Sequence, residues 1–273
     1  MSNPSKKGRG IGKGNTAEVY EWGEDKVLKL FFPGYSDAAC AREFAVTGYV
    51  SERLGIAPMA YEIVHEGDRT GAVYERIFGD TMGTLLLRHP RKIAFFARKM
   101  AACHALIHAR APVALEALRV KDKLAKAIES APALSDGEKR AVLSYLNTLP
   151  KGDSICHFDF HPDNIMIAGE RYYIIDWVDG CVGDPLADVA RTVVLTKYGL
   201  IKGVKAPLRH ILAIARQAIL AIYLREYIRL TGASRGGIHK WILPIAAARL
   251  DETIPQAESD ILLKLVRDEL AQR

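Results

Sequence analysis

The sequence predicts an α+β fold of two lobes, a small sheet-rich N-terminal lobe over residues 1–78 and a larger helical C-terminal lobe over residues 79–273. Three observations carry that prediction. Strand-like alternation of apolar and polar residues dominates up to Phe78, and a helical period replaces it from Thr81 onward. A chain of 273 residues, 49% hydrophobic and 26% charged, has the composition of a globular protein and the length to bury a core in each lobe. Two β-prone runs just after Asn164 interrupt the helical half, so one short hairpin is expected inside it.

In chain order, "EVYEW" (18–22), a turn at Gly23-Glu24-Asp25 and "KVLKLFF" (26–32) read as a hairpin that follows a glycine-rich segment. Asp37 is expected to cap a helix reaching about Leu54, which Gly55 and Pro58 stop. "AYEIVHEGD" (60–68) and "TGAVYERI" (70–77) form a second strand pair around a turn. The lobes join near Phe78–Gly79. Beyond the joint, "RKIAFFARKMAACHALIHA" (91–109) puts Ile93, Phe96, Met100 and Ile107 on one helix face. Residues 115–130 and 138–149 are further amphipathic helices, the second opened by the capping-box pattern Ser135-Asp-Gly-Glu138. After a polar loop and the hairpin, helices run to the end.

Several function classes are disfavoured by bulk properties. The four cysteines, Cys40, Cys103, Cys156 and Cys181, are widely spaced with no C-x-x-C pair, which speaks against a zinc ribbon or disulfide framework and for the reducing cytoplasm. The start, "MSNPSKKGRG", holds no apolar run, so no secretory leader is expected. "ILAIARQAILAIYL" (211–224) is broken by Arg216 and Gln217 and too short to span a bilayer, so no membrane partner is expected. The net charge is +6, with eleven Lys or Arg and one acid, Glu226, between Arg191 and Arg249. That excess reads as solvated helix faces, because no aromatic interleaving of the kind nucleic-acid binders use accompanies it.

The chemistry concentrates in "HFDFHPDNIMI" (157–167), where His157, Asp159, His161, Asp163 and Asn164 sit between apolar flanks. Polar groups this dense are costly to bury unless paired or bound. A tight hairpin of "IMIA" and "YYIID" around Gly169-Glu170-Arg171 folds Asp176 back beside this loop. Asp159, Asn164 and Asp176 then converge, giving oxygen donors for a hard cation such as Mg²⁺ and one spare carboxylate, the set phosphoryl transfer needs. The competing reading is a metal-dependent hydrolase using His157, Asp159 and His161 as alternate ligands on a strand. Pro162 interrupts such a strand, and no further Cys/His cluster adds ligands. His104 and His108 have a zinc-like i, i+4 spacing but lack the Glu of H-E-x-x-H, and are expected to pack or to cap a helix end.

"HFDFHPDN", followed by "IIDW" and "GDPLADVA", resembles the aminoglycoside phosphotransferase family, relatives of choline kinase and of the protein kinases. The resemblance spans nearly the whole chain. It implies a protein-kinase-like fold with ATP or GTP bound between lobes, Mg²⁺ as cofactor, a small-molecule alcohol as acceptor and, for an aminoglycoside acceptor, antibiotic resistance. It makes Asp159 the catalytic carboxylate and Asn164 and Asp176 the Mg²⁺ ligands. His157 becomes a structural histidine, His161 a candidate γ-phosphate contact, and Asp188 the residue that hydrogen-bonds the catalytic-loop backbone.

At the nucleotide end, "GRGIGKGNTAEVYEW" (8–22) fails the G-x-x-x-x-G-K-[ST] pattern and precedes a strand, unlike a dinucleotide-binding turn. It fits G-x-G-x-x-G-x-V as Gly12, Gly14, Ala17 and Val19, with alanine in place of the third glycine. Asn15 and Thr16 add donors toward phosphate. By the resemblance Lys29 pairs with phosphate and with a glutamate of the first helix. At 100° per residue Val50 and Leu54 lie within about 20° of Glu43, while Glu52 lies about 180° away, so Glu43 is the buried partner. "AVYERIFGD" resembles the hinge that binds the base through the Glu75 carbonyl and the Ile77 N–H, with Tyr74 behind the pocket. Asp188 follows Asp176 by only twelve positions, with no A-P-E motif between, so no activation segment of the protein-kinase kind is expected and a small molecule is the expected acceptor. Asp179, Glu226, Asp251 and Glu252 are the acids available to a cationic acceptor.

Overall fold

The structure, a computed structural model, describes residues 7–109, 117–200 and 206–273, with side chains from residue 212 in the last stretch. The expectations for residues 1–6, for the helix start at residue 115 and for Lys202, Lys205 and the Arg209 side chain lie outside them. The chain forms two compact units, one built from the chain up to Leu85 together with Pro162–Gly180, the other from most of the rest. The sequence-derived boundary at 78/79 differs from this division chiefly because residues 162–180 group with the sheet.

In the first unit β1 (Lys7–Lys13), β2 (Ala17–Trp22), β3 (Lys26–Phe31), β4 (Ala60–Glu66) and β5 (Arg69–Glu75) form one sheet in the order β1-β2-β3-β5-β4, with α1 (Asp37–Leu54) between β3 and β4. The glycine-rich segment is itself strand β1, paired with β2, rather than a loop ahead of the hairpin. Its register shifts between Lys7 and Gly10 and between Gly10 and Gly12, as glycine-permitted bulges do. Side chains alternate across β3. Leu28 and Leu30 join Trp22 and Val73 on one face, and Phe31 packs with Ala17, Cys40, Ala72 and Tyr74 on the other. Cys40 belongs to α1, so the helix covers the face that also carries Lys29. Ser36, not the expected Asp37, caps α1, its hydroxyl accepting from Ala39 N–H at 3.2 Å. Asp37 instead accepts a short hydrogen bond from the Thr70 hydroxyl, which ties the first turn of α1 to β5. Gly55, at φ 65°, ends the helix in the left-handed conformation a glycine takes without strain.

The chain continues through β6 (Asp80–Thr81), α2 (Met82–Arg88), α3 (Ile93–His108), β7 (Leu118–Arg119), α4 (Val120–Ser130), α5 (Asp136–Thr148), β8 (Ser154–Cys156), β9 (Ile165–Ala168), β10 (Arg171–Ile174), β11 (Cys181–Gly183), α6 (Pro185–Tyr198), α7 (Ala206–Thr231), α8 (Arg235–Lys240), α9 (Ile242–Arg249) and α10 (Gln256–Ala271). The expected hairpin is β9–β10, and β6 adds a third strand in the order β10-β9-β6. Gly79 is required there: a Cβ would fall 2.2 Å from the Ile167 carbonyl oxygen.

In the second unit α3 packs along α7, and α9 lies among α4, α5, α6 and α10. α9 is buried from Ile242 to Ala248, which explains why its sequence lacks a polar face. α4 begins at Val120 rather than 115, because Leu118 and Arg119 form a strand parallel to β11. The capping box on α5 is present in both directions, Ser135 with Glu138. All four cysteines are free and buried. Among the described residues no helix is long and apolar enough to cross a membrane.

Candidate active site

Lys29 leaves β3 on the face covered by α1 and meets two carboxylates of its own unit, Glu43 Oε1 at 2.6 Å and Asp176 Oδ1 at 2.7 Å. Glu43 is buried on the inner face of α1 and Glu52 is exposed on the outer one, as the helical phase requires. The second Glu43 oxygen is buried with no hydrogen-bond partner, so its charge rests on Lys29 alone. Burial works to lower the Lys29 pKa, but Glu43 and Asp176 outweigh it and hold the ammonium above its usual range. On Glu43 burial raises the pKa against the pull of Lys29. Two carboxylates within hydrogen-bond distance of one ammonium favour the ionised set.

The β9–β10 hairpin places Asp176. The Asn164 carbonyl accepts the Ile175 N–H at 3.0 Å, so the residue that opens the hairpin lies against the one preceding Asp176. Asp176 takes φ 65°, a left-handed conformation uncommon outside glycine, and costs of order 1–3 kcal/mol are usual for such residues. Asn164 is buried, while Asp176 is 40% exposed at its side chain. An amide oxygen and a carboxylate brought together this way suit a hard divalent cation, so this unit's donor set fits Mg²⁺.

Of the other nucleotide-end residues, Gly12 lies in β1, and Gly14, Asn15 and Thr16 form the turn into β2, closed by Gly14 N–H to the Ala17 carbonyl at 2.9 Å. Glu75 ends β5, an interior strand, its N–H held by the Met59 carbonyl at 2.8 Å, and Ile77 follows in irregular backbone. Tyr74 is buried in the α1-side core.

The second unit holds the loop after β8. His157 is fully buried and Asp159 half-buried. His157 Nδ1 accepts the Asp159 N–H at 3.2 Å, which assigns its ring proton to Nε2. His161 Nε2 lies 3.4 Å from Asp159 Oδ2. Burial would raise the Asp159 pKa, but His161, with His157 and Arg191, outweighs it and keeps the carboxyl well below its ordinary range. Phe158 is left-handed, at φ 65°. This strained loop is gripped by α6. Asp188 accepts from His157 N–H at 2.5 Å and Phe158 N–H at 2.9 Å, Arg191 Nε donates to the Phe158 carbonyl at 3.2 Å, and the Thr192 hydroxyl to the Phe160 carbonyl at 3.1 Å. Arg191 and Thr192 belong to no motif read from the sequence; their spacing of three and four residues from Asp188 on one helix face is the signal that could have found them.

The geometry the hydrolase reading needs is not found. Residues 157–161 follow the end of β8 without being a strand, and His157 is buried with Nδ1 occupied, so the three side chains do not line up as alternate ligands. His104 and His108 do not cap; they pack in the core against Asp188, Tyr223 and Tyr227. Of the acids nominated for a cationic acceptor, Glu252 pairs with Arg191 and Arg249, both at 2.6 Å, and Glu226 pairs with Arg229 at 2.7 Å.

Residues 7–216 match the model of the phosphotransferase enzyme family. No curated protein matches the chain. ADP-bound aminoglycoside phosphotransferase APH(2'')-Ib superposes with a TM-score of 0.58 and 16% identity, over 97% of this chain and 92% of that one. Choline kinase from Cryptosporidium parvum Iowa II gives 0.60 and 13%, over 99% and 91%. An aminoglycoside-3'-phosphotransferase of type VIII gives 0.59 and 16%, over 88% and 91%. At these identities the likeness establishes the fold, which is protein-kinase-like.

Proposed function

The chain belongs to the phosphotransferase enzyme family, and from that premise we propose that it transfers the γ-phosphate of ATP or GTP to a hydroxyl of a small molecule, with Mg²⁺. The observation that carries this reading is the Lys29 ammonium held between Glu43 and Asp176. A lysine fixed by two carboxylates is a positioned charge for phosphate, and stabilising phosphate charge is most of what such a reaction needs.

In this reading Lys29 contacts phosphate, Gly12, Gly14, Asn15 and Thr16 approach it from the β1–β2 turn, and Glu75 and Ile77 meet the base through their backbone. Asn164 and Asp176 would hold Mg²⁺, which when bound neutralises phosphate charge. Asp159, kept ionised by its neighbours, accepts the proton of the acceptor hydroxyl and orients it. Asp188 keeps Asp159 in place through the backbone of His157 and Phe158. The four buried thiols support a cytoplasmic setting.

The acceptor is the finer question. Gentamicin and streptomycin are bound by structural relatives, and others are choline kinases. Aminoglycosides are polycations and call for several available carboxylates. The arginines paired with Glu226 and Glu252 favour an alcohol of low positive charge over an aminoglycoside.

Asp159→Asn tests the reaction: turnover should fall roughly 10²–10⁴-fold while nucleotide affinity stays near wild type. Near-normal turnover would refute the assignment. A panel of aminoglycosides, choline, amino sugars and nucleosides decides the acceptor. Micromolar KM for kanamycin-like compounds would overturn the charge argument.

A further inference from the structure

Beneath the Asp159 loop, α3 and α6 bring His104, His108 and Asp188 together with their donor atoms within 4.8 Å of one another, all buried. The histidines are one helical turn apart and share a face. His104 Nε2 lies 3.1 Å and His108 Nε2 3.2 Å from the same atom, Asp188 Oδ2. Donors bound at about 2.0–2.1 Å to one tetrahedral ion stand about 3.3 Å apart, so both separations suit shared coordination.

Two further observations point to an ion rather than to hydrogen bonding alone. The Tyr223 hydroxyl is 2.6 Å from His104 Nδ1, and the Tyr227 hydroxyl is 2.8 Å from His108 Nδ1. An imidazole that binds metal through Nε2 needs an acceptor for its other N–H, and each ring has one. His104 Nε2, in contrast, is fully buried with no hydrogen-bond partner, although it lies 3.1 Å from Asp188 Oδ2. In the tautomer that donates from Nδ1 to Tyr223, the ring aims a bare lone pair at a carboxylate oxygen. That contact is repulsive unless a cation lies between them.

We propose that His104, His108 and Asp188 form a buried zinc site, two imidazoles and one carboxylate, that fastens α3 to α6. Nitrogen and oxygen donors of this mix suit Zn²⁺ and set the site apart from the oxygen donors Asn164 and Asp176. Its role is structural. Asp188 also holds the His157 and Phe158 N–H groups, so the ion fixes the footing of the loop that carries Asp159.

The full chain, stripped with a chelator and titrated with Zn²⁺ in excess Mg²⁺, should bind one equivalent with sub-micromolar affinity by calorimetry, and mass spectrometry should count one retained zinc. His104→Gln and His108→Gln should each abolish that binding, and Tyr223→Phe should weaken it roughly 10–100-fold. Asp159→Asn, which removes the half-buried rival pair with His161, and Asp176→Asn should retain it. No stoichiometric zinc, or zinc that survives His104→Gln, overturns the proposal and leaves a Tyr–His–Asp hydrogen-bond network. Where the histidine variants fail to fold, zinc K-edge absorption of the wild-type protein decides. A shell with two imidazole nitrogens supports the site, and a shell of oxygens alone or of thiolate sulfur overturns it.

Discussion

Replacing Glu43 with glutamine isolates the charge from the shape. The introduced amide oxygen can still accept from Lys29 at the position of the Glu43 Oε1, now 2.6 Å from the ammonium, and Asp176 remains at 2.7 Å. A hydrogen bond with an ionised partner contributes about 1.5–3 kcal/mol, and because the Lys29 ammonium keeps its charge, neutralising only the acceptor moves this bond from the upper toward the lower end of that range. The loss in holding Lys29 is therefore about 1–1.5 kcal/mol, or about 5–10-fold in nucleotide affinity at 1.4 kcal/mol per decade. Global stability should change less, because the substitution also removes a fully buried charge whose second oxygen has no partner. The assay is titration with a fluorescent ATP analogue and Mg²⁺, paired with thermal unfolding. Glu43→Gln should lose affinity at nearly constant Tm, and Glu52→Gln on the exposed face should change neither. Unchanged affinity in Glu43→Gln, or a loss matched by an equal fall in stability, would refute the reasoning.

Two other perturbations test the framework. Gly79→Ala forces a methyl onto the Ile167 carbonyl and should cost at the upper end of about 1–3 kcal/mol by denaturant unfolding. Gly83→Ala should cost less, since its closest obstacle is the rotatable Asp163 carboxylate. Arg267 first, then Ser135, lower the Glu138 pKa from 4.5 to about 2. A carboxyl depressed in the folded state stabilises above its unfolded pKa and ceases to as pH falls through the folded one. The Tm gap between wild type and Glu138→Gln should therefore be small, constant near neutrality, and close between about pH 4.5 and pH 2; a gap that widens on acidification contradicts the pairing.

What is legible in the sequence is local chemistry with a fixed period. The phase of Glu43, the hairpin delivering Asp176 and the Ser135–Glu138 box each depend on residues within about one element of one another. The differences come from long-range partners. Strand β1 reads as a loop because glycine lowers strand propensity, and only β2 pairing holds it extended. Ser36 displaces Asp37 as the cap because Thr70, distant in sequence, occupies the aspartate. His104 and His108 look like generic packing residues until α7 supplies Tyr223 and Tyr227 at the same four-residue spacing. That matched pair of spacings is in the sequence, but nothing there says the two helices are neighbours.

The first unit is discontinuous in the chain, and this has a kinetic consequence. Its five-stranded sheet can pair within the first 75 residues, but the pairing of β6 with β9 and the Lys29–Asp176 contact, 147 residues apart, wait for the hairpin. During synthesis from the N-terminus the early sheet therefore emerges with Lys29 and Glu43 already near each other and with no Asp176 to complete the set. Closing a loop of that length adds an entropic cost that grows only as the logarithm of its length, yet it delays the contact until the intervening helices have left the ribosome. The charged set at Lys29 is thus completed only after the helices α2 to α5 have been made, well behind the sheet and α1, which carry two of its three members.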